Sequence, residues 1–304
     1  METTPLVSFC FMTVRSGRFV ACRYTGGIRL KSGLAGIITG ASTGIGRALA
    51  VLLAKEFKAR LVLTARSEDK LSQVVSSVKQ AGGEALLVSG DIADRALAES
   101  LPPLCLEKFE ALDLVVNNAG LGIPGPIQDL TPEDWERHFQ VNFFAPLYIT
   151  YAALPHFLEK KRGKIVNVSS VAGKVAYPGS VCYAASKFAL TGMSEGMAAE
   201  LGRKGIDVIT VCPGWVRSEF FAKNNVADRW NPTLIAERPG PAGWLMKHCL
   251  SISSEECARQ IVLACSRGGG REIVLTAPGV LMERLAGLCP SLVHTLVARL
   301  SPES

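Results

Sequence analysis

Tyr183 and Lys187 stand four positions apart in Tyr183-Ala184-Ala185-Ser186-Lys187, which opens a small and apolar run through Phe188, Ala189, Leu190, Met193 and Met197. That run predicts a helix, with the phenol and the ammonium on one face. An ammonium beside a phenol favours the phenolate, so a phenol pKa that is normally about 10 is expected to fall toward neutrality. A tyrosine so poised can pass a proton to or from a substrate oxygen. The pair alone carries little, because Tyr and Lys are common enough for this spacing to arise by chance. It gains meaning only if the rest of the chain supplies a cofactor and further polar groups at the same place.

Upstream, Ala35–Thr39 reads as a short buried strand, and Gly40-Ala41-Ser42-Thr43-Gly44-Ile45-Gly46 follows at once. Arg47 to Phe57, with Leu49, Val51, Leu52, Leu53 and Phe57, reads as a helix. Strand, glycine-rich turn and helix is the setting in which backbone N–H groups and a helix N-terminus can cradle a pyrophosphate. A second strand, Leu61–Thr64, ends in Ala65-Arg66. About 20 residues past the turn, an NAD site would offer an acid to the ribose hydroxyls, whereas an arginine suits a 2′-phosphate. Ala65 holds the acid's place and Arg66 is next to it, so the expected cofactor is NADP(H), with NAD(H) the alternative.

Short strands and helices alternate from there. Ala85–Val88 is strand three and leads to Asp91 and Ile92; Leu112–Val116 is strand four and leads to Asn117-Asn118-Ala119-Gly120. The helix after Ile92 contains Pro102-Pro103 and is expected to be weakened there. Thr131, Pro132 and Asp134 have the pattern of a helix start with a capping box. That helix carries Asn142 amid apolar neighbours, where a buried amide needs partners. Lys164–Val168 is strand five, ending in Ser169-Ser170; Asp207–Val211 is strand six, ending in Cys212-Pro213-Gly214; Arg271–Leu275 is the last strand. Alternation with short connections demands an α/β fold: one doubly wound, Rossmann-type domain with a seven-stranded parallel sheet and helices on both faces.

Taken together, Thr39-Gly40-x-x-x-Gly44-x-Gly46, Asn117-Asn118-Ala119-Gly120, Asn142, Ser170, Tyr183-x-x-x-Lys187 and Pro213-Gly214 resemble the short-chain dehydrogenase/reductase family in order and spacing, over about Leu34 to Leu275. The resemblance implies a tetrad. Tyr183 is the acid/base; Lys187 lowers its pKa and holds the nicotinamide ribose; Ser170 polarises the carbonyl; Asn142 holds a water linking Lys187 to solvent. Ser169 is the neighbouring serine, but strand alternation points it to the other face. The resemblance also implies a cofactor site of Gly40, Ser42, Thr43, Gly44, Ile45, Gly46, Arg66, Asp91, Ile92, Asn118, Ala119, Gly120, Pro213, Gly214 and Val216, besides Tyr183 and Lys187, with no metal. One departure stands out. Many NADP-preferring members carry a second basic residue where this chain has Thr43, so the NADP preference rests on Arg66. The implied activity is carbonyl/alcohol interconversion, with a non-catalytic dinucleotide-binding scaffold as the rival from another class. A homo-oligomer, dimer or tetramer, is implied as well.

The remaining residues bound the partners. Trp215 to Leu250 corresponds to the family's substrate lid, and its Phe220, Phe221, Trp230, Trp244, Leu245 and Met246 suggest an apolar substrate such as a lipid, steroid or retinoid-like molecule. Leu121, Pro124, Tyr177 and Pro178 are candidate pocket walls. An apolar tail follows from Val280 to Leu300, broken at Pro290, and is similar in shape to members near the 11β-hydroxysteroid dehydrogenase type 1 branch. It has three uses open to it: covering the substrate mouth, packing in a dimer, or lying on a membrane surface. The domains expected are therefore an extension over 1–33, the catalytic unit over 34–276 and the tail over 277–304. The net charge of +6 is concentrated in the first 31 residues, as Arg15, Arg18, Arg23, Arg29 and Lys31 against Glu2. The rest is close to neutral and offers no basic face to nucleic acid. That leader reads as an extension or a start-site artefact, with Met12 downstream; an organellar presequence is the alternative. Nine cysteines, irregularly spaced and without a CxxC, read as buried reduced thiols in the cytoplasm rather than a zinc site or disulfide framework.

Overall fold

Val, Ile and Leu dominate the strands, and in β1 (Ala35–Thr39), β4 (Leu114–Asn117), β5 (Gly163–Val168) and β6 (Ile206–Pro213) every residue is buried. Strands apolar on both faces require cover on both faces, which only crossover helices provide. A computed structural model of the chain describes residues 30–224 and 231–299 and shows that arrangement. With β2 (Arg60–Ala65), β3 (Glu84–Ser89) and β9 (Arg271–Leu275), the strands form a seven-stranded sheet ordered β3-β2-β1-β4-β5-β6-β9. Each neighbouring pair is parallel. The order reverses between β1 and β4, and their C-terminal ends part there into a crevice.

Alternate strand residues feed two cores. Ile38 and Leu63 pack on one face with Leu49 and Leu53 of α1 (Gly44–Phe57), Leu71 of α2 (Glu68–Gln80) and Ile261 of α10 (Ser254–Arg267). Ile37 and Val115 pack on the other with Leu101 of α3 (Arg95–Phe109), Ile149 and Phe157 of α5 (Ala145–Lys160), and Leu201 of α6 (Val181–Leu201). The helix α3 runs unbroken through Pro102-Pro103. A helical proline costs about 3 kcal/mol, and burial of Leu101, Cys105 and Phe109 offsets it.

The expected capping box is present: Thr131 Oγ1 accepts from Asp134 N–H, and Asp134 returns a bond to Thr131 N–H at 2.9 Å, starting α4 (Pro132–Phe139). Ser67, by contrast, starts α2 without a side-chain cap bond. Between α4 and α5 the backbone widens into a π-helical turn, Gln140–Phe144, centred on Asn142. Sequence periodicity does not announce such a turn; it is a feature frequent at functional sites. In the lid, β7 (Trp215–Arg217) pairs with β8 (Ser251–Ser253) in a separate small ribbon. Between them lie α7 (Phe220–Lys223), α8 (Pro232–Glu237), α9 (Pro241–Leu245) and a second π-helical turn, Met246–Leu250. The apolar tail folds back as α11 (Ala277–Leu288) and α12 (Pro290–Ala298), with Pro290 opening the second helix. The leader through residue 29, Trp230 and Leu300 lie outside the described residues. Of the described cysteines, Cys105, Cys182, Cys212, Cys257 and Cys265 are buried as expected, but Cys249 and Cys289 are exposed.

Candidate active site

The glycine turn is shaped by residues that have no side chain. Gly40 and Gly44 adopt φ of +63° and +56°, in the left-handed region that glycine enters without strain. A Cβ on Gly46 would meet Gly40 O at 2.5 Å, and one on Gly40 would meet Ala119 Cα at 2.8 Å. The chain therefore folds tightly over the N-terminus of α1, with Ser42, Thr43 and Ile45 between the glycines. Bare backbone before a helix N-terminus fits the pyrophosphate of a dinucleotide.

Asn118, directly after β4, braces the glycine turn. Its amide donates to Thr39 O at 2.9 Å and Gly40 O at 3.2 Å. Thr39 Oγ1 returns the bracing by accepting from the N–H groups of Asn118 and Ala119. Arg66, exposed at the end of β2, lies close enough to Asp91 to act on its charge. Burial pushes the Asp91 carboxyl up, but the Ala93 N–H, Arg137 and Arg66 together hold it below the ordinary carboxylate range. Ile92 beside it is buried. On the opposite flank Pro213 ends β6, Gly214 N–H donates to Leu275 O at 3.0 Å, and Val216 is buried in β7. A Cβ on Gly214 would meet Thr276 Oγ1 at 2.2 Å, so only glycine lets the chain turn there.

Four polar residues converge below Gly120. Tyr183 and Lys187 lie in the first two turns of α6, as their spacing predicts. Ser170 follows β5 and hydrogen-bonds the Tyr183 phenol; it also accepts from Ala172 N–H at 3.1 Å. A Cβ on Gly120 would lie 3.6 Å from Asn142 Oδ1 and 3.7 Å from Lys187 Nζ, which sets those two groups around one point. Ser169 points away, as strand alternation requires: its Oγ bonds Lys187 O at 3.1 Å and Thr191 Oγ1 at 2.8 Å. Asn142 is fully buried and its amide hydrogens are committed to Leu121 O and Ser186 Oγ, at 2.8 and 2.9 Å. Its Oδ1 accepts from Leu121 N–H at 2.8 Å. A relay water would meet only the remaining lone pair of that oxygen.

The electrostatics correct one expectation. Tyr183 is not drawn toward neutrality: burial pushes its pKa up to about 12, and the Ser170 hydroxyl only partly offsets this. Lys187 is buried too and is pushed down to about 8. Its ammonium donates to Val168 O at 2.9 Å and lies 5.8 Å from the centre of the Tyr183 ring. Burial is the largest cause of both shifts.

Three residues at this site escaped sequence reasoning. His138 is wholly buried; its Nε2 accepts from Ile123 N–H at 2.9 Å and its Nδ1 lies 2.7 Å from Asp134 O. Burial lowers its pKa, and the two contacts fit a neutral ring protonated at Nδ1. Its position four residues before Asn142 on the same helix was the available signal. Asn224 Oδ1 accepts from Gly122 N–H at 3.0 Å. Ser218 lies against Gly44, where a Cβ would come within 3.4 Å of it. Of the expected walls, Leu121 is partly buried, Gly125 N–H ties the Pro124 segment to Gly179 O at 3.0 Å, and Tyr177 is partly buried beneath the tail.

A glycine turn before a helix N-terminus, a tyrosine–lysine pair on one helix and a serine bonded to that tyrosine are the arrangement expected of a dinucleotide-dependent oxidoreductase. Residues 35–229 match the family short chain dehydrogenase, and the chain belongs to that family. An uncharacterized oxidoreductase of Listeria monocytogenes is 37% identical over 187 residues, 61% of this chain and 75% of its own length. Another from Staphylococcus aureus is 34% identical over 203 residues, 66% of this chain and 87% of its own. A protein assigned as a short-chain alcohol dehydrogenase of Sinorhizobium meliloti superposes with a TM-score of 0.72 at 26% identity, over 82% of this chain and 97% of that one. A point variant of actinorhodin polyketide ketoreductase, solved with NADPH, gives a TM-score of 0.70 at 27% identity, over 80% and 96%. The chain is thus a short-chain oxidoreductase, of a family that uses NAD(H) or NADP(H).

Proposed function

We propose that this enzyme is an NADP(H)-dependent carbonyl reductase or alcohol dehydrogenase acting on an apolar small molecule. The observation that carries the reading is the convergence of Ser170, Tyr183, Lys187 and Asn142 below Gly120, beside the glycine cradle. When bound, the nicotinamide supplies or takes the hydride. Every other task falls to the chain. Ser170 holds the carbonyl oxygen, and Tyr183 gives that oxygen its proton as the carbon receives hydride. Lys187, charged below about pH 8, steadies the negative charge that grows on Tyr183. A phenol that holds its proton to about pH 12 suits the acid role, and hence reduction. Phe220, Phe221, Leu121 and Tyr177 support an apolar substrate. Arg66 supports the 2′-phosphate, and Asp91 and Ile92 the adenine end. Thr43, in place of a basic residue, favours the second reading, NAD-linked alcohol oxidation. The buried thiols support a reducing compartment, the cytoplasm; among the described residues no helix is long and apolar enough to cross a membrane.

The test measures cofactor oxidation with a panel of ketones, aldehydes and steroids, together with NADPH and NADH dissociation constants. Wild type is expected to bind NADPH at least tenfold tighter than NADH, and Arg66→Ala to erase most of that difference. Equal affinities in wild type would exclude the NADP preference. Tight NADPH binding without turnover on any substrate would favour a non-catalytic scaffold.

A further inference from the structure

The chain reaches Ser170 from two sides. On one side β5 fixes it. On the other it opens a single short turn, Val171–Gly173: Ser170 Oγ accepts from Ala172 N–H at 3.1 Å, and Ser170 O from Gly173 N–H at 2.9 Å. A one-turn helix has little stability of its own, so the place of its first residue depends on what holds its far end. The turn also lies close against α6. A Cβ on Gly173 would come within 2.6 Å of Ser169 Oγ and 2.8 Å of Lys187 O and Thr191 Oγ1. There is no slack there, and movement at the far end is passed on to Ser170.

Lys174 holds that far end. Its ammonium is clamped between two elements, 2.7 Å from Glu195 Oε1 on α6 and 2.6 Å from Glu272 Oε2 on β9. Exposed ion pairs contribute little, but here one cation is shared by two carboxylates, and its side chain is only 19% exposed. Burial pushes the Lys174 ammonium down, but Glu195 and Glu272 hold it above the ordinary lysine range. Burial pushes the Glu272 carboxyl up, and the Glu195 charge beside it acts in the same direction, against Lys174. Without the lysine, two like charges would face each other across α6 and β9. The turn would then be tied to neither element through this side chain.

We propose that Lys174, clamped by Glu195 and Glu272, is a positioning residue for the reaction: it sets where the Ser170 hydroxyl stands against Tyr183. The proposal rests on the carbonyl-reductase reading above and adds a residue to its machinery. Lys174 lies outside the tetrad and acts through Ser170. That hydroxyl already serves Ala172 N–H and the Tyr183 phenol, so its direction is set by where the turn begins. A shift of about 1 Å takes such a group out of line with a reacting oxygen and costs up to about 100-fold in rate.

The experiment is a double-mutant cycle on kcat with NADPH and the substrate of the panel above that turns over fastest. Lys174→Met is expected to lower kcat about tenfold, with KM and the NADPH dissociation constant within about twofold of wild type. In a Ser170→Ala background the same change should lower kcat less than about twofold, because the group it positions is gone. Lys174→Arg, which can bridge the same two carboxylates, should keep most of the wild-type rate. An equal loss in both backgrounds, or a Lys174→Met enzyme at the wild-type rate, would overturn the proposal. If Lys174→Met does not fold, Glu195→Gln removes the more exposed arm of the clamp and should show a smaller loss with the same dependence on Ser170; an equal loss in both backgrounds again overturns it. Should wild type reduce nothing on the panel, the carbonyl-reductase reading fails, and NMR of protein labelled with ¹³C at tyrosine Cζ still reads the Ser170–Tyr183 bond. The Tyr183 signal, assigned by its loss in Tyr183→Phe, should move in Lys174→Met in the same direction as in Ser170→Ala, and no further in the double variant. A Tyr183 signal unmoved by Lys174→Met would overturn the proposal.

Discussion

Tyr183 and Lys187 sit in the same buried crevice and respond to it in opposite senses. Burial disfavours whichever form is charged, so the phenol holds its proton to about pH 12 while the ammonium releases its own near pH 8. In reduction the phenol must be protonated, which it is throughout the neutral range. In the proposed mechanism the limiting group is then Lys187, whose charge is assigned to steady the tyrosine as it gives up its proton. The reduction rate is expected to be level from pH 6 to about 7.5 and to fall as pH rises through about 8. Lys187→Met should be slow at every pH and lack that descending limb; a wild-type rate that climbs through pH 8 would contradict this assignment. The spacing of Tyr183, Lys187 and Ser170 was legible in the sequence. Their protonation was not, because it depends on how much water the fold leaves around them.

At the scale of elements, the junction of α4 and α5 is organised by two side chains of one helix, His138 and Asn142. Both reach the backbone after β4, and the π-helical turn lets Asn142 face Leu121 and Ser186 together. His138 accepts a hydrogen bond there, so protonating it would set a donor against the Ile123 N–H. Its folded pKa is lowered, so the unfolded chain binds the proton more readily. Stability is therefore expected to fall as pH drops below about 6.5, the unperturbed histidine value. His138→Ala should lose about 1–3 kcal/mol at pH 7.5 and show a shallower fall between pH 7 and 5 in thermal melts. An equal slope in both proteins would remove His138 from this role. The sheet strands were legible because their buried runs are short and bounded by turns; strand β1 matches its expected span residue for residue. The π-helical turns and the β7–β8 ribbon were not, because three-residue strands and one-residue widenings leave no periodic trace.

Across the whole molecule, elements far apart in sequence close on the crevice. The C-terminal helix α12 buries Val293 and Val297 against Val175 and Tyr177, in the loop between Ser170 and Tyr183. Its other face leaves Leu292 and Leu296 exposed, as is Leu288 at the end of α11. Its inner face packs on the loop that carries Tyr177, a candidate pocket wall. Val293→Asp would place a charge in that contact and is expected to lift α12 away. The substrate KM should rise severalfold, while NADPH affinity stays within about twofold of wild type, because the cradle lies at the other end of the crevice. A matching loss of NADPH affinity would mean instead that the tail supports the whole domain. Alternation and right-handed crossovers predict the parallel, doubly wound sheet, but not the order β3-β2-β1-β4-β5-β6-β9, because other doubly wound orders satisfy the same rules. Which lid residue meets Tyr183 could not be read from the chain, since the Tyr183–Phe220 ring pair and the Asn224–Gly122 bond join segments far apart in sequence.

The most direct measurement is the single-turnover rate of NADPH oxidation by a reducible ketone in wild type and Tyr183→Phe, alongside the NADPH dissociation constant of each. The substitution removes only the hydroxyl that Ser170 touches. We expect unchanged NADPH affinity and a rate at least 100-fold lower, within the roughly 10²–10⁴-fold range of a lost proton donor. A Tyr183→Phe enzyme that keeps the wild-type rate would show that the proton comes from elsewhere, and the assignment of this site would fall.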